Sequence, residues 1–524
     1  MAKPALDKDL KKLGRLQAST RELGRGMVPV SVAGLFLLLV GLATAGLVGF
    51  GGGWIILVGS AMVGGYMALN IGANDVANNM APAVGSRALK IGVAIGIAAV
   101  FEAAGAIIAG GSVIATVSSG IISPAAMAGP GDFTIAMIAA LFAAALWINL
   151  ATWIGAPVST THSVVGGVLG GGIAMAGFAA ADWAVVGRIV ASWVVSPVLG
   201  GIIAAAFLAY IKFTILYVPD KLGEAERRVP VLVGIMAGAF STYLLMKGLS
   251  RVADVPVWGA LAFGFAVFAI TTSMIRPYIR RQVVGLTQSR ASVGELFTIP
   301  VICGAALLSF AHGANDVANA IGPLAAIYTT VSEQALVAQA EIPLWILLIG
   351  ALGIALGLSL FGPKLIRTVG SNITKLNRVR AYCVTLSAAI TVIIASAFGL
   401  PVSSTHIAIG ALFGVGFLRE FLEQRRRDAV LASGYEAADL LEVLRPAAGG
   451  EVVTTMQDVT EPGVRDARLA REARRKDKQR RRQLVRRGHV VTIIAAWVIT
   501  LPMSALIAAL LALGLHQVGL PDLD

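Results

Sequence analysis

Long apolar runs separated by short polar stretches set the pattern of this chain. A membrane-spanning helix needs about 20 apolar residues, because the hydrocarbon core is about 30 Å thick and a helix rises 1.5 Å per residue. Runs of this kind occupy 28–50, 53–72, 89–110, 134–153, 158–178, 183–211, 229–249, 256–275, 293–312, 343–361, 381–399, 402–418 and 490–514. They predict an all-α, polytopic membrane helix bundle. Two neighbouring pairs, 134–153 with 158–178 and 381–399 with 402–418, are joined almost without polar spacer and read as re-entrant hairpins. The run 28–50 is longer than the apolar core of a secretory signal. The residues before it are mixed in charge, with Asp7, Asp9 and Glu22 among lysines and arginines. It therefore reads as a retained first helix.

The pattern repeats. Ile71-Gly-Ala-Asn-Asp-Val-Ala-Asn78 recurs as His312-Gly-Ala-Asn-Asp-Val-Ala-Asn319, and Gly155-Ala-Pro-Val-Ser-Thr-Thr-His162 recurs as Gly399-Leu-Pro-Val-Ser-Ser-Thr-His406. Asp75 precedes Pro157 by 82 residues and Asp316 precedes Pro401 by 85, so order and spacing are both kept. A fainter echo pairs Trp193 with Trp497. Duplication of this kind marks internal structural repeats.

Charge then orients the chain. With the N-terminal tail in the cytoplasm, the inside loops hold Arg87 and Lys90, then Lys212, Lys221, Arg227 and Arg228, then Arg276, Arg280, Arg281 and Arg290, then Lys364, Arg367, Lys375, Arg378 and Arg380. The outside segments 112–133, 313–342 and 515–524 hold neither lysine nor arginine, and only Lys247 and Arg251 break the rule. Positive charge inside is the norm for membrane proteins. On this topology the first repeat starts outside and the second starts inside. The repeats are thus inverted, a plan that secondary transporters use to build a site near the bilayer midplane.

Composition agrees. The chain is 57% hydrophobic and 14% charged, against about 25% charged in soluble domains. Sixty glycines suit closely packed membrane helices. The net charge of +13 sits in the loops, so no nucleic-acid partner is expected. Cys303 and Cys383 lie in apolar runs and suggest no disulfide framework.

The expected organisation is a basic cytoplasmic tail (1–27), an extra transmembrane helix (28–52), repeat 1 (53–213), linking helices with a basic linker (214–292), the first part of repeat 2 (293–418), a basic cytoplasmic insertion (419–489), and a last helix with a short external tail (490–524). The protein is placed in the inner or plasma membrane, in contact with the lipid bilayer. Assembly into a homo-oligomer is left open.

Candidate chemistry gathers in the repeated motifs. An ionisable group inside a membrane costs about 2.5–3.5 kcal/mol to insert and so points to function. Asp75 and Asp316 stand in matched motifs where glycine and asparagine suggest broken helices. Each proline-led motif places hydroxyls at a helix start, where backbone N–H groups and the helix dipole favour an anion. The anion-binding set is Asn74, Asp75, Ser159, Thr160, Thr161, Asn315, Asp316, Ser403, Ser404 and Thr405. No arginine is present to balance the anion, so a bound cation is expected to supply the charge. Carboxylate and amide oxygens of Asn74, Asp75, Asn78, Asn315, Asp316 and Asn319 suit a hard cation such as Na⁺, and protonation of a carboxylate would serve if the ion is H⁺. His162 and His406 are placed behind these groups. A carboxylate can accept a hydrogen bond from protonated phosphate, which fully deprotonated sulfate does not offer.

These motifs resemble the PiT family of inorganic phosphate transporters, over about 53–418 and 490–514. The resemblance implies inverted repeats and cation-coupled phosphate symport, with Na⁺ in many members and H⁺ in others. Glu102 matches an intramembrane glutamate of sodium-coupled members and joins the cation set. A second such glutamate is replaced by Thr385. The Gly-Ala-Asn-Asp form of the motif favours Na⁺. The extra helix 28–50 and the insertion within repeat 2 depart from the usual pattern. The reading is a secondary phosphate symporter, not an enzyme, with no cofactor beyond the coupling ion. A sulfate or other oxyanion permease is the alternative. An intramembrane hydrolase built on Ser159 and His162 is disfavoured, because one active site needs no inverted copy. A channel would be told apart by non-saturating flux, and no phosphate-binding Walker loop supports an ATP-driven pump.

Overall fold

The computed structural model describes residues 27–154, 158–248, 255–336, 342–372, 376–432 and 487–519. The basic tail, residues 155–157, residues 433–486 of the insertion and the last five residues lie outside the described residues.

The described chain is helical, and its only β feature is one isolated bridge, Ile122 to Ala181. The first half runs through α1 (Met27–Val48), α2 (Trp54–Asn74), α3 (Val76–Gly85), α4 (Ile91–Ala109), the short α5 (Gly111–Ala115), α6 (Pro130–Ile154), α7 (Thr160–Ala176) and α8 (Trp183–Ile211). Two linking helices follow, α9 (Lys221–Gly248) and α10 (Val257–Val283). The second half holds α11 (Arg290–Leu296), α12 (Thr298–Glu333), α13 (Leu344–Asn372), α14 (Arg378–Ala397), α15 (Ser404–Ala432) and α16 (Arg487–Val518). Twelve helical stretches are long and apolar enough to cross a membrane. Polar caps set several starts. Asp182 accepts the N–H groups of Ala184 and Val185 at α8, and Asn377 accepts that of Arg380 at α14, which satisfies amides the helix leaves unpaired.

The two Gly-Ala-Asn-Asp motifs differ in backbone. In the first, α2 stops at Asn74 and α3 starts at Val76, with Asp75 between them still donating its N–H to the Ile71 carbonyl. In the second, the expected break is absent, and α12 runs unbroken through Asp316 for 36 residues. This helix is the bundle's centre, with its side chains buried from Leu307 to Ile327. So enclosed, its backbone is best satisfied by its own helical ladder.

Helices from the two halves exchange partners, and glycines make the closest contacts. A methyl group at Gly72 (α2) would sit 2.0 Å from the carbonyl oxygen of Ile354 (α13), and one at Gly313 (α12) 2.1 Å from that of Glu102 (α4). Three residues on, Gly357 meets Leu69 as Gly105 meets Phe310, each at 2.0 Å. The hairpin helices repeat the relation. Gly166 and Gly170 of α7 rest on Leu501 and Ala505 of α16, while Gly410 and Gly414 of α15 rest on Pro197 and Gly201 of α8.

Candidate functional site

Each hairpin helix begins on a serine cap. Ser159 Oγ accepts the N–H of His162 at 3.3 Å, and Ser403 Oγ accepts that of His406 at 3.4 Å. These two serines therefore close their own helices. The next residues reach the acids. Thr160 Oγ1 donates to Asp75 Oδ2 at 2.7 Å, and its counterpart Ser404 Oγ donates to Asp316 Oδ2 at 2.9 Å. A second matched pair crosses between halves. Asn78 Nδ2 donates to Thr405 Oγ1 at 2.9 Å, and Asn319 Nδ2 donates to Thr161 Oγ1 at 3.2 Å and to Thr160 Oγ1 at 3.4 Å. Thr405 Oγ1 also donates to Asp75 Oδ1 at 3.3 Å, so both hairpins hold this carboxylate.

The hairpin ends touch. Thr161 Oγ1 donates to the Val402 carbonyl at 3.1 Å, and the rings of His162 and His406 lie 4.8 Å apart. Trp193 packs on His162 with ring centres 3.8 Å apart and donates Nε1–H to the Pro401 carbonyl at 2.9 Å. The two histidines are thus behind the hydroxyls. Asn315 shapes the second hairpin. Its Nδ2 donates to Ser396 Oγ and the Leu400 carbonyl, and its Oδ1 accepts the Val402 N–H. Asn74 is half-buried beside Asp75 and no side-chain contact distinguishes it.

The symmetry fails most clearly around Glu102. Asn79 Nδ2 donates to Glu102 Oε1 at 2.9 Å, Glu102 Oε2 lies 2.6 Å from His312 Nδ1, and His312 Nε2 lies 2.7 Å from Asp316 Oδ2. All four residues are buried. The contacts above identify their counterparts as Ala320, Ile354, Ile71 and Asp75. Behind its acid, one half carries a polar chain where the other carries apolar residues. His312 and Asn79 were not singled out from the sequence, although His312 in place of Ile71 is the one mismatch between the two eight-residue motifs. Thr385 bonds the carbonyls of its own helix at Ala381 and Tyr382 and takes no part in the cluster.

Asp75, His312 and Asp316 bring ligand atoms within 4.8 Å of one another. Asp316 Oδ1 and Asn319 Oδ1 are buried without a hydrogen-bond partner among the described residues. Carboxylate, amide and hydroxyl oxygens with unfilled acceptor capacity fit a hard cation. The first turns of α7 and α15 supply neutral donors for an oxyanion next to it.

Paired hairpins around buried acids, within a bundle of helices long and apolar enough to cross a membrane, have the architecture of a membrane transporter. The sequence pattern of the phosphate transporter family matches residues 71–508, and the chain belongs to that family. A protein of Helicobacter pylori strain J99, provisionally described as a phosphate permease, is 44% identical over 528 aligned residues, covering 97% of this chain and 98% of the relative. An alignment of that extent takes in most of the segment 419–489. A similarly described protein of Haemophilus influenzae is 37% identical over 70% of this chain and 89% of its own length. The solved structure of a sodium-dependent phosphate transporter superposes with a TM-score of 0.73 at 31% identity, over 88% of this chain and 100% of that one.

Proposed function

We propose that the protein is a symporter that moves inorganic phosphate with Na⁺ down the sodium gradient. The observation that carries this reading is the matched pair of carboxylate–hydroxyl contacts, Asp75 with Thr160 and Asp316 with Ser404. Two acids alone would repel an oxyanion. Na⁺ ions on Asp75, Asp316 and the neighbouring asparagine oxygens would neutralise them, so that phosphate binds only after the cation. This order is what coupling requires. The helix starts of α7 and α15 then donate to phosphate, through the backbone and through Thr160, Thr161, Ser404 and Thr405. The repeats, at about 53–213 and 293–515, are read as inverted across the membrane, with the N-terminus and the segment 419–489 in the cytoplasm.

The name of the structural neighbour and the oxygen-rich donor set both support Na⁺. The buried chain Glu102–His312–Asp316 favours H⁺ as the second reading, since it is built to hold a proton. Uptake into proteoliposomes with Na⁺ and pH gradients imposed separately decides between them. Phosphate uptake that follows the Na⁺ gradient and is indifferent to pH supports the proposal. Uptake driven by the pH gradient alone overturns Na⁺ coupling, and stronger competition by sulfate than by unlabelled phosphate overturns the substrate.

A further inference from the structure

Four basic side chains meet at the end of the second hairpin away from the acids. Arg380 lies in the first turn of α14, and Arg419 lies 15 residues beyond Ser404 on α15, about 22 Å along the helix. Lys212 stands where α8 passes into one π-helical turn, Lys212–Leu216, and Arg290 opens α11. Lys212 feels the charges of Arg419, Arg290 and Arg380, against a single acid, Glu423. Lys212 Nζ and the Arg290 guanidinium share one ring, at 5.8 Å and 5.6 Å from the centre of Tyr217. Lys212, Arg380 and Arg419 are half-buried.

Glu423 and Glu420, on the same helix as Arg419, offset part of its charge, and the other nearby acids are engaged elsewhere. Glu224 pairs with Arg227 and Arg228, Glu226 faces Arg280, and Asp220 accepts from the Gly223 N–H and from Gln288. Among the described residues, no carboxylate lies within ion-pair distance of Lys212, Arg290 or Arg380. Basic residues on a merely solvated face spread apart, because like charges repel. Here four separate elements bring them together, three of them partly out of water, and two of them share an aromatic ring that favours cations.

We propose that Lys212, Arg290, Arg380 and Arg419 form a second anion site, distinct from the transport site, that takes a phosphate-type oxyanion. Guanidinium groups match the geometry of phosphate oxygens, and a lysine adds a point charge. The occupant is the headgroup of an anionic phospholipid or free inorganic phosphate. Bound there, it ties α8 of the first half to α14 and α15 of the second, and so braces the base of the hairpin that carries Ser404. The site does not depend on which ion drives transport.

The test uses the full-length protein in nanodiscs of phosphatidylcholine, with phosphatidylglycerol added in steps in one arm and inorganic phosphate in the other. Thermal unfolding is read for the wild type, for Lys212→Gln/Arg290→Gln, and for a control, Lys221→Gln/Arg227→Gln, on the same face. The wild type and the control should be stabilised, and the cluster variant, which lacks two of the four basic groups, should need about thirty-fold more anion for the same gain. The arm in which the variant loses response names the occupant. Inorganic phosphate also binds the transport site, but that contribution is common to all three proteins and cancels in the comparison. Equal responses of wild type and cluster variant in both arms overturn the proposal. Should the double variant fail to fold, the exposed single change Arg290→Gln, with retained phospholipid counted by native mass spectrometry, takes its place: undiminished retention together with undiminished response to phosphate overturns the proposal.

Discussion

Asp75 and Asp316 occupy matching places in matching motifs, yet their surroundings differ. Asp75 is held by hydroxyls from both hairpins, whereas Asp316 is held by one hydroxyl and faces His312, which is backed by Glu102 and Asn79. On the proposed mechanism both acids carry the cation, so Asp75→Asn and Asp316→Asn should each abolish coupled uptake while the protein stays folded. Glu102→Gln should follow Asp316→Asn, because Glu102 reaches the site only through His312. Near-normal uptake by either aspartate variant, measured in proteoliposomes, would contradict the shared site. The hydroxyls separate in the same way. Ser159 and Ser403 accept helix N–H groups, while Thr160 and Ser404 donate to the acids. Ser159→Ala and Ser403→Ala should cost about 1 kcal/mol of stability, the usual loss for a helix cap. Thr160→Val and Ser404→Ala should instead weaken phosphate binding about ten-fold or more, because a hydrogen bond to a charged group is worth about 1.5–3 kcal/mol. Phosphate titration and thermal unfolding of the four purified variants measure the two effects. Tighter dependence of binding on the capping serines than on Thr160 and Ser404 would reverse the assignment.

At the scale of elements, contact between helices is set by missing side chains. Gly72 and Gly313 each lie under a carbonyl of a helix from the other half, close enough that a methyl group would overlap it. Gly59, on the same helix as Gly72, has open space where its side chain would be. Gly72→Ala and Gly313→Ala should therefore force the helices apart and destabilise by roughly 1–3 kcal/mol, the ordinary cost of overpacking. Gly59→Ala should be neutral or slightly stabilising, since alanine is the better helix former. Thermal unfolding in detergent distinguishes them, and equal tolerance at all three positions would remove the argument from close packing. The same elements show what could be read in advance. Apolar runs located the long helices, because the bilayer demands a length that sequence displays directly. The duplicated motifs located the acids and hydroxyls, because both copies keep residue type and spacing. The unbroken course of α12 was not legible, since whether Gly313 ends a helix depends on Glu102 packing against it from 211 residues away. For the same reason Glu102 could be placed in the site but not against His312.

At the scale of the whole molecule, each half is completed by the other. The first hairpin helix, α7, rests on α16 from the end of the chain, and the second, α15, rests on α8 from the first half. Residues 433–486 of the basic segment, which lie outside the described residues, separate α15 from α16 in sequence. They should be dispensable for the transport step: a flexible linker in place of 433–486 should keep uptake, and labelling of a cysteine at Gln457 from the cytoplasmic side only would agree with the topology. The proposed symport, if it works by alternating access, imposes a further condition. If the halves rock against each other, some contacts must open while others move as one body. The α7–α16 contact belongs to the second kind. Gly166 and Gly170 seat directly on the backbone of Leu501 and Ala505, and Ser504 Oγ donates to the Ser163 carbonyl at 2.5 Å. Parting these helices would expose a hydrogen bond and closely packed backbone at membrane depth, where no water replaces the lost partner. A disulfide from Ser163→Cys to Ser504→Cys, or a short thiol crosslink where the geometry refuses the bond itself, should thus leave phosphate uptake at the level of the reduced protein. Reversible loss of uptake on oxidation, restored by reductant, would show that α7 slides on α16 and that the first hairpin moves independently of its support.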